Sequence, residues 1–273
     1  MQCGGFWMAA GLTVVAGACS FDPTAPGLPS RTGPDATAGG GDSDAGLPDA
    51  ASRPPADAEP PPPEEGVARS VRGTPDVSDA RFEEWAGVPA YEFRMGDAAD
   101  YHGRAGYTPS ARLTFASMHD DEHVYFALQV TDDQVVEGGS PLWTFDSVTL
   151  YLDAGGDRAG QLGADDHEIT IGANAMYSDF TPSDPRAKLS GTARRTADGY
   201  ALEIGVRIDS LADAPMPSTI GFDIAINDND GSSDAAFGLW YVNPGPHCED
   251  CCEGWSHPEP WCDTTVFGRL ILE

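Results

Sequence analysis

Residues 190–208 read SGTARRTADGYALEIGVRI. In the second half, Tyr200, Leu202, Ile204, Val206 and Ile208 fall on alternate positions, the period of a strand with one face buried. Ser190–Thr196 forms a second short run, and Asp198-Gly199 between the two is a hairpin turn signal, because glycine supplies the backbone twist a tight turn needs. Working outward, runs of the same kind are Ala111–Ala116, His123–Thr131, Asp146–Asp153, His167–Gly172, Ile220–Asn227, Phe237–Val242 and Phe267–Leu272. Each is bounded by Gly, Pro, Asp or Asn. No stretch keeps a helical period for three turns. Eight or nine short strands over residues 74–273 predict an all-β domain, an antiparallel β-sandwich or jelly roll.

The chain has 273 residues, with 44 Asp+Glu against 15 Lys+Arg and a formal charge of -29. Such a field repels phosphate backbones and anionic head groups, and a nucleic-acid partner is excluded on that ground. Residues 1–19, MQCGGFWMAAGLTVVAGAC, hold an apolar run of signal-peptide length, too short to span a bilayer. Ala16-Gly17-Ala18-Cys19 is similar to a bacterial lipobox, which makes Cys19 the lipidation candidate. Export to the outer membrane or cell surface follows, with secretion or the periplasm as the alternative, and membrane contact is expected only through that anchor. Residues 20–73 carry 11 of the 23 prolines and almost no aromatic side chains. That composition cannot bury enough surface to order, so they read as a disordered Pro/Gly/Asp-rich linker.

Four cysteines, Cys248, Cys251, Cys252 and Cys262, cluster near the C-terminus. In an exported chain they read as two disulfides, with three pairings open. Neighbouring Cys251 and Cys252 are not expected to bond each other, which favours crossing or nested links. The competing reading is zinc, with His247 and His257 alongside, but the second cysteine pair lacks the Cys-x-x-Cys spacing.

No catalytic constellation stands out. The histidines form no HExxH spacing, and nucleophile elbow, P-loop and dinucleotide fingerprint are all missing. Asp/Glu pairs are expected by chance among 44 carboxylates. Binding is better supported. Trp143 stands in a loop just ahead of the Asp146–Asp153 run, and Trp261 lies in the Cys-rich loop. Aromatic rings on pinned loops stack on the C–H faces of sugars with little ordering cost. Trp85 and Trp240, in apolar contexts, read as core. Glu168, Asp146 and Asn243 are candidates for polar contacts. Asp228, Asp230 and Asp234 alternate around Gly231 like part of a calcium loop, and Asp132-Asp133 and Asp153–Asp157 are similar strand-end clusters.

The order of the runs carries a resemblance: ASMHDDEHVYFALQVTDDQVV, PLWTFDSVTLYLD, TADGYALEIGVRI, IGFDIAINDND, then Trp261 and Phe267-Gly268 before a last strand. Residues 74–273 resemble the family 9 carbohydrate-binding modules attached to xylanases. The resemblance implies a jelly roll with structural calcium and a sugar clamped between two tryptophans, here Trp143 and Trp261. It also implies departures. The family's Glu, Arg and Asn contacts are replaced by Thr149, Thr170 and Gly172, and its Asn before the second Trp by Pro258. The expectation is a non-catalytic module that binds polysaccharide or oligosaccharide, with a separate glycoside hydrolase as a partner. An interaction lipoprotein that keeps the fold without the sugar site is the second expectation. A third, electron transfer, would use Met95, Met118, His119 and Met176 at a haem.

Overall fold

The computed structural model describes residues 64–102, 107–179, 189–208, 217–231, 235–252 and 259–273. Among these, all regular structure is strand, apart from four short 3-10 turns. The strands are β1 (Val67–Arg72), β2 (Ala90–Arg94), β3 (Asp100–His102), β4 (Arg112–His119), β5 (His123–Thr131), β6 (Ser147–Asp153), β7 (Asp166–Gly172), β8 (Tyr177–Asp179), β9 (Leu189–Thr196), β10 (Gly199–Arg207), β11 (Thr219–Asp228), β12 (Ala236–Leu239) and β13 (Gly268–Leu272).

They hydrogen-bond into one curled sheet in the order β8-β7-β6-β11-β13-β1-β4-β5-β10-β9, with β12 and β3 continuing from β11, and β2 beside β4. Every run read from the sequence contains a strand, though β12 stops at Leu239, short of Val242, and Thr196 pairs with Gly199 across the expected hairpin. The curl brings two arms face to face. Val148, Leu150, Ile169, Ile171, Ile224 and Ile226 of one arm share a core with Leu113, Phe126, Leu128, Leu202 and Ile204 of the other. Phe126 stacks on Phe222 at 5.5 Å between ring centres, and Trp240 meets Phe115 edge-on at 5.2 Å. A sandwich results from one sheet folded over its own inner face.

Two expectations need correction. The stretch assigned to the linker, 20–73, contains β1, so the folded part begins ahead of residue 74. The sheet is also not wholly antiparallel, because β1 runs parallel to both β13 and β4. Both misreadings have one cause. β1 closes the seam between the arms; it buries Val67 and Ala68 side by side rather than alternately, and its third buried residue is polar: Ser70 Oγ accepts from Ser117 Oγ at 3.0 Å and lies 3.2 Å from His119 Nδ1. Two adjacent buried apolar residues followed by a buried serine leave no alternating period to read.

Trp85 packs in a smaller cluster on the outside of the second arm with Met118 and Tyr125. Its indole N–H donates to Glu203, which also accepts the backbone N–H groups of Ala80 and Phe82.

Candidate functional site

Strand alternation sends Ser147, Thr149 and Tyr151 of β6, Glu168, Thr170 and Gly172 of β7, and Asp223, Ala225 and Asn227 of β11 to the face opposite the core. In register, one row across this face runs Gly172, Ser147, Asn227, Phe237, His102. A parallel row runs Ser178, Thr170, Thr149, Ala225, Leu239. The polar members bond to one another. Thr149 and Thr170 hydroxyls lie 3.0 Å apart, and Asn227 Nδ2 donates to Ser147 Oγ and Thr149 Oγ1, each at 3.1 Å. None of the four exceeds 3 % exposure. They form a floor whose members bond to one another.

Trp143 stands at one end of this floor. Its 3-10 turn, Leu142–Thr144, lies over Gly172, and Leu142 Cδ2 is 3.3 Å from where a Cβ on Gly172 would be. Ser147 Oγ donates to Leu142 C=O at 3.1 Å, fixing the turn to the floor. Leu142 is buried while Trp143 is 42 % exposed. At the other end Trp261, half-buried, meets the edge of Phe237 at 5.9 Å and lies 6.3 Å from His102. His102 Nε2 is 3.5 Å from the buried carboxylate of Glu259.

The loop that carries Trp261 is covalently pinned. Cys248 bonds Cys251, and Cys252 bonds Cys262. The expectation of crossing or nested links is thus replaced by a sequential pairing. Cys248 and Cys251 flank a turn in which Cys251 N–H donates to Cys248 C=O at 3.4 Å, with Cα atoms 5.4 Å apart, already within bonding reach. With all four sulfurs oxidised, no thiolate set remains for zinc. Arg158 adds a clamp, donating to Thr265 and Phe267 carbonyls at 2.6 and 2.7 Å.

A cluster of carboxylates lies behind the Trp143 turn. Oxygens of Asp132, Asp228 and Asp230 fall within 4.8 Å of one another. Asp132 Oδ2 and Asp228 Oδ1 are buried without a hydrogen-bond partner. Tyr107 donates to the other oxygen of Asp228. Asp146 accepts from the backbone N–H groups of Val136 and of Asn229, the latter at 2.8 Å. Asn229 Nδ2 in turn donates to Thr144 C=O at 2.5 Å, which ties this cluster to the turn bearing Trp143. Burial raises Asp146 to about 8 and Asp132 to about 6, and neighbouring carboxylates add to both. Hard oxygen donors with two orphaned buried oxygens fit a calcium ion. Asp228 and Asp230 were anticipated from sequence; Asp132, seen there only as one of several acidic pairs, joins them through the fold. Asp234 lies outside the described residues.

Glu168 is half-buried opposite Tyr151, and burial together with Asp179 pushes its carboxyl up to about 7. Asn243 spends its carboxamide on its own loop, donating to Thr265 C=O at 2.8 Å and accepting Gly245 N–H at 3.3 Å. Met95 is buried in the core, whereas Met118 belongs to the outer cluster around Trp85. His119 is bonded to Ser70, and Met176 stands on the β7–β8 turn, so these four do not converge on a haem site. Cys19, Pro258 and His257 lie outside the described residues.

Residues 84–273 match the family described as "Carbohydrate family 9 binding domain-like". The chain belongs to that family. A family 9 module from Caldicellulosiruptor kristjanssonii, solved in complex with cellotriose, shares the fold with a TM-score of 0.59 at 22 % identity, over 76 % of this chain and 93 % of that one. The same module in complex with glucose gives the same score. Among curated relatives, an exoglucanase XynX from Acetivibrio thermocellus is 24 % identical over 206 residues, 76 % of this chain and 17 % of the enzyme. An endo-1,4-beta-xylanase A from Thermotoga neapolitana is 22 % identical over 209 residues, again 76 % of this chain and 18 % of the enzyme. The family 9 domain therefore spans under a fifth of these relatives, whose names describe whole enzymes.

Proposed function

We propose that this chain is an exported, surface-tethered carbohydrate-binding module that holds polysaccharide or oligosaccharide without cleaving it. The observation that carries this reading is Trp143: an exposed indole on a turn locked to a polar floor, at one end of the row Gly172, Ser147, Asn227 and Phe237, with half-buried Trp261 beside Phe237 at the other. Three inter-strand spacings, roughly 14 Å, separate the ends of that row. That backbone span leaves room for a sugar ring between side chains rising from its two ends. Membership of the family and the sugars bound in the C. kristjanssonii structures support the ligand class.

Calcium at Asp132, Asp228 and Asp230 would supply charge neutralisation, leaving the loop behind Trp143 fixed through Asn229 and Thr144. Cys19 would be the lipid anchor and residues 20–63 the spacer, holding bound glycan near a separate glycoside hydrolase. A second reading, an interaction lipoprotein without sugar binding, is favoured by one feature, the floor whose hydroxyls pair with one another.

Depletion of the full chain from solution by insoluble xylan and cellulose separates the two. The module reading expects depletion, weakened about tenfold or more in Trp143→Ala and Trp261→Ala. If the folded wild type stays in solution with both polymers, the interaction reading replaces it.

A further inference from the structure

Two large hydrophobic side chains are exposed among the described residues, Trp143 at 42 % and Met176 at 39 %. Both stand on the same rim. Met176 ends the β7–β8 turn, where its carbonyl accepts Gly172 N–H at 2.8 Å. The next residue, Tyr177, pairs with Ile171 and packs on the core, so alternation turns Met176 to the opposite face, that of Gly172 and Thr170. The two turns are bonded together. Asn174 Nδ2 donates to Gly138 C=O at 3.1 Å, its Oδ1 accepts Met176 N–H at 3.1 Å, and Ala173 N–H donates to Asp146 C=O at 3.0 Å. Gly138 belongs to the loop that leads into Trp143.

We infer that Met176 extends the Trp143 platform to a second sugar unit, so that the site takes a chain of two or more residues in preference to a single sugar. This rests on the reading of Trp143 as a sugar-stacking residue. The floor's hydroxyl and amide groups bond to one another, and Trp261 stands at the far end of the row beside Phe237 and His102, so further contact area next to Trp143 lies along its own rim. There the thioether is the apolar group next in line, on a turn already ordered before any ligand arrives, which lowers the entropy lost on binding. A thioether is also polarizable and conformationally adaptable, suited to the C–H face of a ring whose tilt is set by the neighbouring unit.

Calorimetric titration of the full, calcium-loaded chain with glucose and with cellohexaose tests it. Met176→Ala is expected to weaken cellohexaose about fivefold while glucose changes by less than about twofold, and Met176→Leu to retain most of the cellohexaose affinity. Equal effects on both sugars, or no effect on either, overturn the inference while leaving the role of Trp143 intact. A wild-type chain that binds neither sugar overturns the carbohydrate reading itself, and the inference with it; the failing protein, variant or wild type, tells the two apart. Because Met176 is exposed, an unchanged melting temperature in both variants is expected and confirms that folding is not the variable.

Discussion

Glu168 shows how a single residue's environment sets its chemistry. It stands opposite Tyr151 on the floor side of β7, half-buried, and desolvation with the nearby Asp179 carboxylate raises it to about 7. A carboxyl with a folded pKa above its unfolded value binds a proton more readily when folded. Its stabilising contribution is therefore present below about pH 4.5 and lost as pH rises through about 7. Melting temperature should fall between pH 5 and pH 8, and Glu168→Gln should flatten part of that slope; an unchanged slope would show that the group titrates normally. Asp132 makes the same point about calcium. Its Oδ2 is buried without a hydrogen-bond partner, and one of its carboxylate oxygens lies within 4.8 Å of oxygens of Asp228 and Asp230. Saturating calcium should raise the melting temperature by about 5–10 °C in the wild type, by mass action on the folded state. Asp132→Asn should lose most of that rise, and identical calorimetric melts with calcium and with chelator would remove the site. Sequence reading reached Asp228 and Asp230 because they alternate around one glycine. It saw Asp132 only as one of several acidic pairs, because its nearness to them is a product of the fold.

Among the elements, β1 decides where the domain starts. It is bonded on both sides, to β13 from Val67↔Arg269 onward and to β4 from Ser70↔Ser117 onward, and thus joins the two arms. A chain beginning at Glu64 should melt cooperatively near the temperature of the full protein. One beginning at Thr74 should lack a cooperative transition, since it exposes two ladder edges and the seam of Ser117 and His119 together. Equal melts for both would contradict this topology. The strands legible in sequence are the long ones with a full apolar face, such as β5, β6, β10 and β11. Those that escaped are short or polar. β2 buries only Phe93, and β3 and β8 are three residues long. β1 buries Val67 and Ala68 without alternation and ends in a hydroxyl–imidazole seam at Ser70. In the C-terminal loop, cysteine count foretold two disulfides but not their order, because the local turn that brings Cys251 back to Cys248 has no hydrophobic pattern.

At the scale of the whole molecule, charge and architecture point the same way. A formal charge of -29 repels polyanions without penalising a neutral glycan, whose recognition depends on stacking and hydrogen bonds. The curled sheet supplies a rigid face, the two disulfides and Arg158 fix the Trp261 side, and the Asp146–Asn229–Thr144 chain fixes the Trp143 side. Relatives that carry this domain are much longer enzymes, of which it forms under a fifth. In the present sequence it follows a Pro-rich stretch, residues 20–63.

Titration of the full chain with cellotriose, followed by calorimetry and tryptophan fluorescence in wild type and Trp143→Ala, tests the central claim most directly. Saturable binding by the wild type, accompanied by a change in indole emission and weakened about tenfold or more in the variant, is the predicted result. Heat and emission that stay flat for a folded, calcium-loaded, disulfide-intact wild type, or binding that Trp143→Ala leaves unchanged, would contradict it.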